Sequence, residues 1–380
     1  MTTKRLSRIL NWMNPSSKDN KDTTKDNKDK AAVAVAKDWK NLPTFDDLPD
    51  FKGLKGCAWE VWGQDDELGT VNMLTDEVVK RAAVEEFVTG KCVSLNWPLN
   101  FPSSPLFGRK APEVNMMNKY DRAAVRDDEI HINTQSGSQW DGLRHFGIQE
   151  HSVFYNNVHK DTLAVGVVPM SDPSNIDPLI TKIGIQNWAS HGICGRGVLL
   201  DLVKFFTEGS NDKKLPYNPW TTHGFTVADL EACAQKQGVK FRQGDILLVR
   251  AGFIQKYHTT SQEERDELIG KPETFAGIEQ SEDMKRFLWN NHFAAIASDQ
   301  PALERWPPPE GVLHMHQTIL GLWGMPIGEM FDLEKLSEVC AETGRYTFFF
   351  SSWPLAIIGG CASPPNAAVS SIIFAEAELN

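Results

Sequence analysis

The spacing of apolar positions changes period several times along the chain, and each change marks an expected element. From Leu74 to Thr89 the period is helical: Thr75 can cap the start, Glu77 puts early negative charge there, and Val78, Ala82, Val84 and Phe87 are spaced for burial. Lys91 to Leu99 alternates as a strand does. Gly197–Leu202 and Gly244–Arg250 are short apolar runs bounded by glycine and charge, which suits strands buried on both faces. Phe225–Gln235 and Glu282–Asn291 read as helices, the second leading into an apolar strand at Phe293–Ala297. Leu333–Thr343 reads as a further helix, with Gly344 placed to stop it. Strands and helices mixed in this way predict an α/β class. With no internal repeat and no linker beyond residue 42, the simplest organisation is one compact domain over residues 43–380.

Residues 1–42 differ. They carry ten Lys/Arg and five Asp/Glu, and Ser16–Lys30 repeats Lys-Asp-Asn with almost no apolar content, so this tail is expected to be disordered. Leu6, Ile9, Leu10 and Met13 share a helical face beside Arg5 and Arg8, with no acid before Asp19. A mitochondrial transit peptide has this character, and so does a stray tail on a cytoplasmic protein. The chain as a whole has a net charge of −11, a poor match for nucleic acid or anionic lipid, and no apolar run long enough to span a membrane. Its six cysteines have no short paired spacing, which argues against a zinc finger or a disulfide framework.

Candidate chemistry falls in two places. Gln135-Ser-Gly-Ser-Gln139-Trp140-Asp141-Gly-Leu-Arg144-His145 puts an Asp and a His four apart among small residues, as a metal ligand with a general base or as a structural ion pair. His314-Met-His316-Gln317 is followed by Glu329 at the end of an otherwise apolar stretch. Two histidines at i, i+2 can reach one metal or lie as a surface pair, and a carboxylate in an apolar setting needs a cation, a metal or donors beside it. Trp59, Trp62 and Trp140 could line a pocket for a planar substrate or fill the core.

With these residues in view the chain resembles the cyclase family, to which bacterial kynurenine formamidase and isatin hydrolase belong. The family signature is His-x-Gly-Thr-His-x-Asp-x-Pro-x-His, and the segment Gln135–His145 is similar to it. Further blocks resemble family segments in the same order: Trp59–Asn72, Gly195–Asp201, Gly244–Arg250, Gly277–Ala302, Gly321–Glu329 and Pro354–Asn366. The resemblance implies a swivelling β/β/α fold around a mixed sheet, a homo-oligomer and a small-molecule substrate. It implies hydrolysis of an amide, a formamide (as in arylformamidases of tryptophan catabolism) or a lactone, assisted by a divalent metal. Asp141 matches the ligand Asp, His145 the proton-transfer His and Glu329 the downstream Glu; His316, or Gln317 in a register one shorter, matches the downstream His. Gln135 and Gln139 stand where the family has its two ligand histidines. Amide oxygens are hard, weak ligands, so such a site would favour Mn or Mg over Zn. The alternatives are a metal-free cyclase or dehydratase of secondary metabolism using His145 and Asp141, and a non-catalytic relative that binds a small molecule.

Overall fold

In the computed structural model, residues 41–370 are described, apart from 89, 122–123, 209 and 211–213. The tail, with its transit-peptide reading, lies outside the described residues. The described residues from Leu42 on form one compact unit. Among the described residues, no helix is long and apolar enough to cross a membrane.

The unit is built on a nine-stranded mixed sheet. Its strands are β1 (Cys92–Ser94), β2 (Gln139–Asp141), β3 (Ile193–Asp201), β4 (Ile246–Arg250), β5 (Ala295–Ser298), β6 (Ile327–Glu329), β7 (Thr347–Ser352), β8 (Ala362–Ser363) and β9 (Ala367–Ser370). They lie in the order β1-β9-β7-β3-β4-β5-β6-β2-β8. The inner strands β3, β4, β5 and β6 run parallel, and the outer pairings are antiparallel. Strands β3, β4 and β5 are buried almost throughout, as their unbroken apolar runs require.

Helices α1 (Asp76–Glu86), α2 (Val227–Lys236), α3 (Glu282–Asn290) and α4 (Glu334–Thr343) lie where the spacing places them. Thr75 caps α1, and Gly344 ends α4 in the left-handed conformation. The buried face of α1 differs from the expected one: Ala82 and Glu86 are buried, while Val84 and Phe87 are exposed. The cause is Glu86, whose carboxylate receives Arg196 from β3 together with Arg345 and Thr347 at the start of β7. The strand expected over Lys91–Leu99 pairs only at Cys92–Ser94. All six cysteines are free.

An aromatic cluster that includes Trp97, Trp220, Phe253, Phe275 and Met330 forms a separate apolar core, with Phe107 and Trp306 packed partly exposed against it.

Candidate active site

Strands β2 and β6 pair antiparallel, with Gln139 opposite Glu329 and Trp140 opposite Gly328. Side chains alternate along a strand, so Gln139, Asp141 and Glu329 share one face and Trp140 takes the other. On that other face Trp140 is fully buried. It packs edge-on against Phe331 and Phe350 and donates Nε1–H to Ser352 Oγ at 2.8 Å. Trp140 is therefore a core residue and not a wall of the substrate pocket. Gly328 makes room for it: a Cβ there would sit 2.4 Å from Ala297 Cβ and 2.9 Å from the Trp140 ring.

On the polar face, Gln139 Nε2 donates to Glu329 Oε2 at 2.7 Å and to Asp141 Oδ1 at 3.1 Å. Gln135, in the turn before β2, donates to the same Asp141 Oδ1 at 2.6 Å. Both glutamines thus turn amide nitrogen toward the carboxylates, which is not the oxygen-ligand arrangement expected from the sequence. Two buried atoms are left without a hydrogen-bond partner, Asp141 Oδ2 and Gln139 Oε1.

His145 reaches this face from a tight turn after β2, closed by His145 N–H to Gly142 O at 2.9 Å. Gly142 is needed there, because a Cβ would come within 2.7 Å of Cys361 O. The neighbouring Arg144 is buried and anchors the turn, donating to the carbonyls of Lys182, Leu179, Ile180 and Gly359. His145 Nε2 lies 3.7 Å from Asp141 Oδ2.

His145 Nδ1 lies 3.0 Å from Gln135 Nε2. An amide nitrogen can only donate, so Nδ1 accepts and the proton of the neutral ring sits on Nε2, facing Asp141 Oδ2. The amide cannot be turned over, because its oxygen would then face Asp141 Oδ1 at hydrogen-bond distance. Burial lowers the His145 pKa below its ordinary 6.5; the Asp141 charge opposes this without outweighing it.

His316 enters from the turn before a wide, π-type helical segment, Gln317–Leu322. Its Nε2 lies 3.2 Å from Glu329 Oε1 and 3.8 Å from Asp141 Oδ2, and its Nδ1 lies 2.5 Å from Glu304 Oε1. Glu304 also accepts from the amides of Met315 and His316 and from Gln280 Nε2. Burial works against the imidazolium, but the hydrogen bonds and charges of Glu304 and Glu329 outweigh it and raise His316 to about 10. Burial, reinforced by the Asp141 charge, raises Glu329 to about 7.

Of the two registers, His316 occupies the site; Gln317 turns away and accepts the Gln149 amide at 2.8 Å. His314 does not join His316, stacking instead on Trp306 with ring centroids 4.7 Å apart. Trp59 packs on Phe51 and donates to Gly321 O, and Trp62 packs on Trp289. Glu304 was missed, although the argument applied to Glu329 finds it: a carboxylate directly after the apolar Ala302-Leu303 also needs donors.

A divalent ion fits these residues only when His145 Nε2 and His316 give up the protons assigned to them above. Ligand-type atoms of Asp141, His145 and His316 lie within 4.8 Å of one another, and both partnerless oxygens belong to this face. The Glu304–His316 hydrogen bond is the kind of outer support that orients a metal-ligating imidazole.

Comparison with known proteins agrees with the fold. The family model described as "Putative cyclase" matches residues 28–305, which includes Gln135–His145 and Glu304 but stops short of His316 and Glu329. A solved structure described as a novel cyclase is 30% identical, covers 83% of this chain and 99% of its own, and superposes with a TM-score of 0.70. Isatin hydrolase A from Labrenzia aggregata, bound to benzyl benzoate, is 16% identical, covering 73% of this chain and 93% of its own with a TM-score of 0.48. Isatin hydrolase A from Ralstonia solanacearum is 17% identical, covering 73% and 91% with a TM-score of 0.49. No curated protein sequence matches the chain. The family match and the 30% identical cyclase together establish that this chain belongs to the cyclase family.

Proposed function

We propose that the chain is a hydrolase of a small organic amide, formamide or lactone, acting at Asp141, His145 and His316. One observation carries this reading: Asp141 Oδ2 is a buried carboxylate oxygen with no partner, 3.7 and 3.8 Å from two imidazole nitrogens. A buried acceptor without a donor is costly unless it serves a ligand or a reaction. When a divalent ion is bound, Asp141 and His316 would hold it and it would polarise the substrate carbonyl; Asp141 Oδ2 is then a ligand, and its proton-transfer role belongs to the metal-free state.

The remaining roles follow from the hydrogen bonds. His145 presents Nε2–H and donates it to the oxygen on which charge develops, as a neutral imidazole can. It does not take the proton of the attacking water, because its lone pair is turned to Gln135. That proton goes to Asp141 Oδ2 and returns to the leaving nitrogen or oxygen, so water adds across the bond and Asp141 is regenerated. Gln135 and Gln139 hold Asp141 in place for this. The same residues can act without a metal, because His316 paired with Glu304 already supplies a buried cation.

The test is a panel of aryl formamides, anilides and aryl lactones, assayed with and without added Mn or Zn. Asp141→Asn is expected to lower kcat by about 10²-fold or more, the usual scale for a lost proton-transfer group. Asp141→Asn turnover at the wild-type level would overturn the reading.

A further inference from the structure

The buried polar face lies beneath a chain of half-buried side chains that closes on itself. Arg109 donates Nη1–H to Gln135 O at 2.8 Å, and Gln135 in turn contacts His145. The His145 ring adjoins Phe146, whose ring lies 5.6 Å from His314. His314 stacks on Trp306, and Trp306 meets Phe107 edge-on at 5.4 Å. Phe107 closes the circuit with the Arg109 guanidinium 5.1 Å from its ring centre. Two members touch the floor directly: the His316 ring lies 5.3 Å from Phe146 and 6.3 Å from His145.

This rim has a definite chemistry. Five of its members, Phe107, His145, Phe146, Trp306 and His314, offer aromatic faces or edges, and the apolar cluster behind Phe107 and Trp306 stiffens them. Its single permanent charge is Arg109. Among the described residues Arg109 forms no ion pair, and its hydrogen bond goes to a neutral carbonyl. The floor, by contrast, sets three carboxylates, Asp141, Glu304 and Glu329, against the one imidazole of His316. An anion entering alone would meet those carboxylates, so a substrate carrying an anionic group would keep that group at the rim. A guanidinium with unused N–H groups is suited to a carboxylate there.

We propose that Arg109 is a specificity-determining residue that selects aromatic substrates bearing a carboxylate, with the ring held along Phe107, Trp306 and Phe146. The inference rests on the hydrolase reading only for the word substrate; the recognition itself is a binding property.

The probes are benzoate and benzyl alcohol, a charged and a neutral ligand of similar size, titrated calorimetrically into the intact protein. Wild type is expected to bind benzoate about tenfold or more tighter than benzyl alcohol, the scale of a charge-assisted hydrogen bond. Arg109→Gln is expected to abolish that preference while benzyl alcohol binding stays within about twofold, and Trp306→Leu to weaken both ligands alike. Arg109→Lys, which keeps the charge and loses the fork, should retain part of the preference and guards against misfolding of the Gln variant. Benzoate affinity unchanged in Arg109→Gln would place the anion elsewhere, on a bound metal for example, and would overturn the proposal. Absence of any benzoate preference in wild type would do the same. Binding is read without turnover, so a protein that binds benzoate through Arg109 and hydrolyses nothing on the panel fails the functional reading alone.

Discussion

Replacing Trp140 by Phe separates a core role from a pocket role, and the expected magnitude can be worked from its contacts. The indole is fully buried, meets Phe331 and Phe350 edge-on, and donates to Ser352 Oγ. Phe keeps one ring but loses the N–H and the outer part of the indole. The lost hydrogen bond is worth about 1 kcal/mol. Ser352 still donates to Pro365 O, so no hydroxyl is stranded. The unfilled volume and weaker edge contacts add roughly 1–2 kcal/mol. Trp140→Phe should therefore destabilise by about 2–3 kcal/mol in urea unfolding with an unchanged m-value. Turnover by the folded fraction, and KM, should stay near wild type, because the ring lies across the sheet from Asp141. A large rise in KM with little loss of stability would refute this and return Trp140 to the pocket.

Other substitutions probe the supports of the site. Gly328→Ala should destabilise by about 1–3 kcal/mol in urea unfolding, since the new methyl group overlaps Ala297 and Trp140 in a packed sheet. Arg144→Met leaves four carbonyls without their donor and should lower stability by about 2–4 kcal/mol, with a loss of kcat in the folded fraction as the His145 turn loosens. Burial lowers the pKa of His292, outweighing its backbone hydrogen bond to Trp289. Its contribution to stability is therefore full above the unfolded value near 6.5 and is lost as pH falls through the folded one. His292→Asn, which tolerates the positive φ of that position, should flatten the acid-side fall in urea midpoint; an unchanged pH profile would contradict this.

The parts of the molecule that were legible in the sequence are those with a repeating physical signal. Helices α1–α4 carry a 3.6-residue period and good ends, and strands β3, β4 and β5 are apolar runs bounded by glycine or charge. The strands that carry the site, β2 and β6, are three residues long and buried on both faces, too short for any period to emerge. The buried face of α1 does not follow from its apolar spacing, because a glutamate, Glu86, is what it buries, on the arginine of a strand 110 residues away. Asp141, His145, His316 and Glu329 could be named from a motif resemblance. The direction in which Gln135 and Gln139 point could not, because an amide is both donor and acceptor and only the surrounding carboxylates decide. Arg109 belongs to no motif and meets the site only through the fold, whereas Glu304 carries the same signal as Glu329, a carboxylate that follows apolar residues.

In the proposed reaction Asp141 and its two imidazole neighbours add water to a carbonyl. The most direct measurement is turnover in ¹⁸O-labelled water, with mass spectrometry of the acid released from the aryl formamide, anilide and lactone panel. One labelled oxygen per acid formed is expected from the wild type, and almost no product from Asp141→Asn. A product free of label, as cyclisation or dehydration would give, or labelled product formed equally fast by Asp141→Asn, would contradict this reaction.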